Sequence, residues 1–275
     1  IGSADLALDP AQVRLITASF GAEIDQAEAS ALHAATEGWV AGVLLAGQGR
    51  RTQVADIDRE GMFDYLATEV LAAEPSETLE VMEAAAVLSR FTPELVREVS
   101  GVADAEATVL DLAARQLFTS RLEGEDWYRF HHLLRDHLLG RLREGDPERE
   151  LGLHARAGHA WAKIGEPLEA ARHFTKAGTP EIAAQVLEPH AETISAGPDG
   201  PALSELLDSM PPSAWVDRPP LLTAQSTLQM HLGNHERGFD LAESAVAQLI
   251  DLADDDRAAE ALTTHVMALA ISGVP

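Results

Sequence analysis

Cysteine is absent from the chain, which rules out disulfides, thiolate metal sites and thiol nucleophiles. That absence fits a reducing cytoplasm. No run of about 18 uninterrupted apolar residues occurs, and residues 1–5, Ile-Gly-Ser-Ala-Asp, carry neither a basic nor an apolar leader segment. Neither secretion nor a membrane span is expected. Basic residues are scarce, 20 Lys and Arg against 45 Asp and Glu, for a formal charge of −25. A field of that sign repels phosphate backbones and anionic lipid, so non-specific nucleic-acid binding lacks its usual driving force. No stretch matches Gly-x-x-x-x-Gly-Lys-[Ser/Thr], so the loop of backbone amides that cradles a β-phosphate is missing. Hydrolysis of ATP by this chain is therefore not expected.

What is present reads as helices. With 275 residues, the length suggests two or three domains. Asp9-Pro10 predicts an N-cap and first helical residue, followed by Val13, Ile16 and Phe20 at helical spacing up to Gly21. Asp25 and Glu28 form a second capping signal, opening a helix that runs to Gly38, and a third apolar helix covers 39–45. A linker rich in Gly, Arg and Asp (47–58) leads to a second unit. There Phe63, Leu66 and Val70 mark one helix face, and Leu79, Met82, Ala86 and Val87 the next. Thr92-Pro93 caps a short helix ending at Gly101, and Asp104 opens another carrying Val109, Leu112 and Leu117. Two short helices joined by a turn have helix-turn-helix geometry. Short aromatic and aliphatic runs at 117–122 and 127–130 flank Glu123-Gly124-Glu125-Asp126, a hairpin signal. Helices followed by a hairpin make a winged helix.

After Asp146-Pro147 the pattern changes to helical hairpins with short turns. Leu153, Ala157 and Trp161 form one stripe, Ala170, Ala171 and Phe174 the return stripe, and Ile182, Val186 and Leu187 are expected to point inward in the next pair. The expected fold class is mainly α: a helical lid subdomain over 1–58, a winged helix with a small β-hairpin over 59–145, and a helical-hairpin solenoid like tetratricopeptide repeats over 146–275. The last residues, 271–275, break a helix with no polar terminal face, so the solenoid is expected to continue beyond them.

The most informative stretch is 127–137, Trp-Tyr-Arg-Phe-His-His-Leu-Leu-Arg-Asp-His. It resembles the Met-His-Asp-Leu-x-x-Asp pattern at the end of the winged helix in STAND-type signalling ATPases. Phe130 takes the Met position, His131 the His, His132 the Asp, Leu133 the Leu and Asp136 the final Asp. Residues 4–8, Thr36-Glu37-Gly38-Trp39, Glu69-Val70-Leu71, Leu117-Phe118 and Leu153-His154-x-Arg156-Ala157 follow in the order seen in MalT-like regulators, the large ATP-binding members of the LuxR class. The resemblance implies an ATP-binding domain ahead of residue 1 and a DNA-binding domain beyond the arm. This chain would then hold no cofactor alone, with ATP or ADP bound in the longer protein.

On the same resemblance, His131 touches the nucleotide phosphates and holds the ADP-bound resting state closed. An imidazole N–H suits a phosphate oxygen, and protonation strengthens the bond; packing between the wing and the next helix is the plainer role. Gly38, Trp39 and Val40 fall where relatives carry Gly-x-Pro, whose proline packs on adenine in the lid; Val40 departs from that pattern. A metal site is not expected, since adjacent His131 and His132 do not converge on one ion. Ser195 and Ser204 lack a Gly-x-Ser-x-Gly elbow, so no catalytic residue is expected. The candidate recognition helix carries Asp104, Glu106 and Asp111 against Arg115 alone, and a major-groove reader needs positive or amide side chains. Direct DNA binding by this segment is not expected. The implied partners are the protein's own nucleotide-binding domain and an inducer or inhibitory protein on the arm, in a sensor and transmission segment. The rival reading is a helical-repeat scaffold that binds protein and has no nucleotide switch.

Overall fold

The computed structural model describes residues 8–19, 24–36, 43, 71, 72, 74–115, 118–122, 126–252, 262 and 263. Gly38, Trp39 and Val40 lie outside these residues, as do Phe20, Phe63, Leu66, Val70 and Leu117. The chain divides into two compact units, 1–146 and 147–275.

Reciprocal capping opens the first two helices of unit one. The Asp9 N–H donates to Gln12 Oε1 and the Gln12 N–H to Asp9 Oδ1, both at 2.8 Å, at the start of α1 (Pro10–Ser19). The Asp25 N–H donates to Glu28 Oε2 at 2.9 Å and the Glu28 N–H to Asp25 Oδ1 at 2.7 Å, opening α2 (Gln26–Thr36). Each box satisfies two backbone donors that a helix start leaves open. Val13, Ile24, Ala29, Leu32 and Val43 are buried together, with Leu8 and Ile16 packed against them.

In the winged helix, α3 (Ser76–Ala86) has its last six residues, 81–86, all buried. In α4 (Pro93–Ser100), Thr92 Oγ1 accepts the Leu95 N–H at 3.2 Å, and Gly101 ends the helix at φ 75°, a left-handed cap that favours glycine. Asp104 stands before α5 (Ala105–Ala114) as expected, but its side chain makes no cap hydrogen bond. Strands β1 (Thr119–Arg121) and β2 (Tyr128–Phe130) pair antiparallel, with Thr119 opposite Phe130. They lead into α6 (His132–Gly145).

One pairing had no counterpart in the sequence reading. Phe91, between α3 and α4, exchanges both backbone hydrogen bonds with Tyr128 at 2.9 and 2.8 Å. The order is therefore helix, bridge, helix, helix, strand, strand, with a third strand position at the sheet edge. The Phe91 ring stacks on Tyr128 at 6.5 Å between centroids and meets Phe130 edge-on at 5.0 Å, favourable geometries for aromatic pairs.

Unit two is built of helical hairpins. Trp161, on α7 (Pro147–Lys163), is fully buried, and so are Ala170 and Ala171 on α8 (Pro167–Lys176). In α9 (Pro180–Leu187) the buried face is Ala183, Ala184 and Leu187. Ile182, expected inward, is exposed, and Val186 is half-buried. The helical period puts Ala183, Ala184 and Leu187 on one buried stripe, and Ile182 falls outside it. Short α10 (Ala191–Ala196) precedes α11 (Gly200–Ser209), α12 (Pro219–His231) and α13 (His235–Asp251). Between the last three runs a polar seam: Gln229 Nε2 donates to Ser204 Oγ at 3.0 Å, Asn234 Nδ2 to Gln229 Oε1 at 2.8 Å, and Ser226 Oγ to the Gly238 carbonyl at 2.7 Å. Ser204, Ser226 and Gln229 are buried, so these bonds offset desolvation of their polar groups. The fold is mainly α, with one small hairpin among the described residues.

Candidate functional site at the start of α6

His131 is the N-cap of α6, standing between β2 and the first helical residue, His132. Four contacts set its place. Its N–H donates to the Phe118 carbonyl at 2.7 Å, extending the β1–β2 ladder by one bond, and its carbonyl accepts the Arg135 N–H at 3.1 Å. Its Nδ1 accepts the Leu133 N–H at 3.4 Å. Its ring stacks on that of His132, with centroids 4.6 Å apart and planes 26° off parallel. With Nδ1 accepting, the proton of the neutral ring belongs on Nε2.

Aligned neighbours separate into inward and outward sets. Phe130 is buried under the Phe91 ring, Leu133 and His132 are half-buried, and Asp136 is exposed. Helix α6 itself is pinned to α3 and the turn after it. Leu134, Leu138 and Leu142 are buried along one face, Arg135 Nε donates to the Leu88 carbonyl at 3.3 Å, and Arg141 meets Glu83 at 3.4 Å. Glu83 is a buried carboxylate within the apolar stretch of α3. The sequence reading passed over it, although an acid set between Val81-Met82 and Ala84-Ala85-Ala86 was a visible signal. Among the described residues, no three His, Asp or Glu side chains are grouped to hold a metal.

The outer side of the helix-turn-helix is acidic and its cations are engaged. Arg115, at the end of α5, pairs with Glu74 and with Asp111 at 3.5 Å. The hydrogen bond to Glu74 raises the Arg115 pKa above its ordinary value; the charges of Glu74 and Asp111 add to this, and burial opposes it. Arg97 pairs with Glu106 at 2.7 Å.

The arrangement defines a class first: a winged helix whose final helix starts at a stacked pair of imidazoles, with helical hairpins following in the chain. Residues 67–150 match the MalT winged helix domain. The chain is 30% identical over 199 residues to the HTH-type transcriptional regulator MalT of Vibrio campbellii, covering 68% of this chain and 22% of that protein. It is 29% identical over 232 residues to the serine/threonine-protein kinase PknK of Mycobacterium tuberculosis, covering 79% of this chain and 20% of PknK. In fold it is similar to a Signal Transduction ATPase with Numerous Domains (STAND) protein with a tetratricopeptide repeat sensor from Pyrococcus horikoshii. That match has a TM-score of 0.55 and 15% identity, and covers 98% of this chain and 42% of the other. The chain spans about a fifth of the length of these curated relatives. Its winged helix is that of the MalT family, and the chain as a whole fits a fragment of a MalT-like protein.

Proposed function

We propose that the chain is the sensor and signal-transmission segment of a nucleotide-switched bacterial transcriptional regulator of the LuxR class, acting in the cytoplasm. In this reading residues 1–58 form part of the lid of a nucleotide-binding module, the winged helix carries the phosphate-sensing residue, and the arm after Pro147 is a solenoid of the tetratricopeptide kind that receives an inducer or inhibitory protein. ATP or ADP binds in the longer protein, against its own nucleotide-binding domain.

The observation that carries this reading is the setting of His131. Its Nδ1 accepts the Leu133 N–H, which in the neutral ring puts the proton on Nε2. The positive end of α6 begins beside it, and both features suit a phosphate oxygen. Occupation of Arg97 and Arg115 by carboxylates favours a winged helix used for internal signalling over one that reads DNA. The absence of a Gly-x-x-x-x-Gly-Lys-[Ser/Thr] stretch supports a chain that is not itself an enzyme.

The test is transcription from a reporter without inducer. His131→Ala in the complete regulator removes a charge-assisted hydrogen bond of about 1.5–3 kcal/mol and is expected to raise basal output roughly ten- to a hundredfold. His132→Ala is expected to raise it less. A folded His131→Ala protein that needs as much inducer as wild type makes His131 a packing residue, and favours the scaffold reading.

A further inference from the structure

Phe118 is the one described non-glycine residue with positive φ, at 51°. For an L-residue this left-handed region is disfavoured by roughly tenfold per residue, and a bulky aromatic there is an outlier that persists only where its surroundings hold it. Phe118 is buried and stands directly before β1. Its carbonyl receives the His131 N–H at 2.7 Å. The neighbouring pair, Thr119 opposite Phe130, is the first of the ladder. The left-handed turn thus ends the hairpin and fixes the backbone of His131 with the same bond.

We infer that Phe118 is a positioning residue for His131, and that its left-handed backbone, rather than its aromatic side chain, does the positioning. This rests on the proposed role of His131 as the nucleotide-sensing residue and adds the element that regulates it. Helix α5 ends at Ala114 and β1 starts at Thr119, so Phe118 lies on the chain path from the helix-turn-helix to His131. Relaxing φ to negative values swings the Phe118 carbonyl away from the His131 N–H and frees the start of α6. A load on α5 is in this way converted into a change at the imidazole.

Three variants separate backbone from side chain, each studied in the whole chain without nucleotide. Phe118→Gly deletes the side chain but adopts positive φ freely. Phe118→Ile and Phe118→Leu are isomers of equal size, and only Ile is β-branched, which opposes the left-handed region. The readouts are hydrogen exchange of the His131 amide and the ¹⁵N shifts of its imidazole, which report the Nδ1 acceptor state. Exchange at the Phe91 and Tyr128 amides gives the general loss of stability. Relative to that reference, Gly and Leu are expected to keep His131 protection within about twofold, and Ile to lose about tenfold with a changed imidazole signature. The opposite order, with Gly worst and Ile equal to Leu, makes Phe118 a packing residue and overturns the inference. If the Ile variant does not fold, Gly against Leu decides: loss of the His131 signature in Gly alone is contrary to it. Should the expected order hold while His131→Ala leaves nucleotide response unchanged, the sensing role fails and the positioning of His131 stands.

Discussion

The winged helix closes on itself through contacts that join its last elements to its first, whereas in the arm after Pro147 helices pack mainly on the next one or two in the chain, α10 reaching past α11 to α12. In the first region Phe91 bridges Tyr128, Arg135 reaches the Leu88 carbonyl and Glu83 meets Arg141. Each contact ties the last helix or the hairpin back to the beginning. In the arm, α7 packs on α8, α8 on α9 and α12 on α13, and the Nδ1 atoms of His154 and His173 meet at 2.9 Å within one hairpin. That contact requires one ring to donate and the other to accept, so the two imidazoles hold opposite Nδ1 states. Closure of the first kind is expected to make a cooperative unit, so that displacement at one end reaches His131. Closure of the second kind confines a defect to its own repeat, as in solenoids generally. A relay is expected in the first region and an adaptable recognition surface in the second.

The largest effect should come from Phe91→Ala. It removes a ring packed against Tyr128 and Phe130, and Phe to Ala substitutions in cores cost about 3–5 kcal/mol. Urea unfolding is expected to show that loss, and hydrogen exchange should show it spread over α3 to α6. Faster exchange limited to the hairpin would break the contrast between the regions.

A smaller and local effect is expected from Gly158→Ala in α7. A Cβ there would lie 2.9 Å from the Phe174 ring, a buried aromatic with little room to shift, and overpacking of this kind costs about 1–3 kcal/mol. Exchange should quicken in α7 and α8 while α12 and α13 stay unchanged. Equal loosening throughout the arm would contradict repeat-by-repeat closure.

The smallest effect is expected at Gly238. The added Cβ would meet the far end of Met230, with Cε at 2.6 Å, and that flexible chain can move aside. Replacing a helical glycine by alanine contributes about 1 kcal/mol of helix propensity. Gly238→Ala is therefore expected to change the unfolding midpoint little or to raise it slightly. A loss as large as that at Gly158 would show that the arm's polar seam is rigid.

Much of this was legible because the signals are local. Asp25 with Glu28, Thr92-Pro93 closed by Gly101, and the turn residues of the hairpin each name a start or stop within a few positions. The Phe91 bridge had no such signal, since one residue in a Phe-Thr-Pro loop pairs with a strand 37 positions later. Alternation needs several residues to be visible. In the arm, Ser204, Gln225 and Gln229 look like surface residues, but a hydrogen-bonded seam buries them. Hydrophobicity alone points Ile182 inward, but the buried stripe of α9 runs through Ala183, Ala184 and Leu187. At the candidate site, alignment singled out His131, and its role as a helix cap came only from the backbone around Phe118 and Leu133. Gly38, Trp39 and Val40 fall outside the described residues, so the lid half of the site rests on resemblance.

The central claim, that the start of α6 senses a nucleotide through His131, is tested most directly by the rate at which the complete protein releases a fluorescent ADP analogue. His131→Ala is expected to release it roughly ten- to a hundredfold faster than wild type, in line with loss of a charge-assisted bond, and His132→Ala at a rate between the two. Release at the wild-type rate from a folded His131→Ala protein would contradict the account.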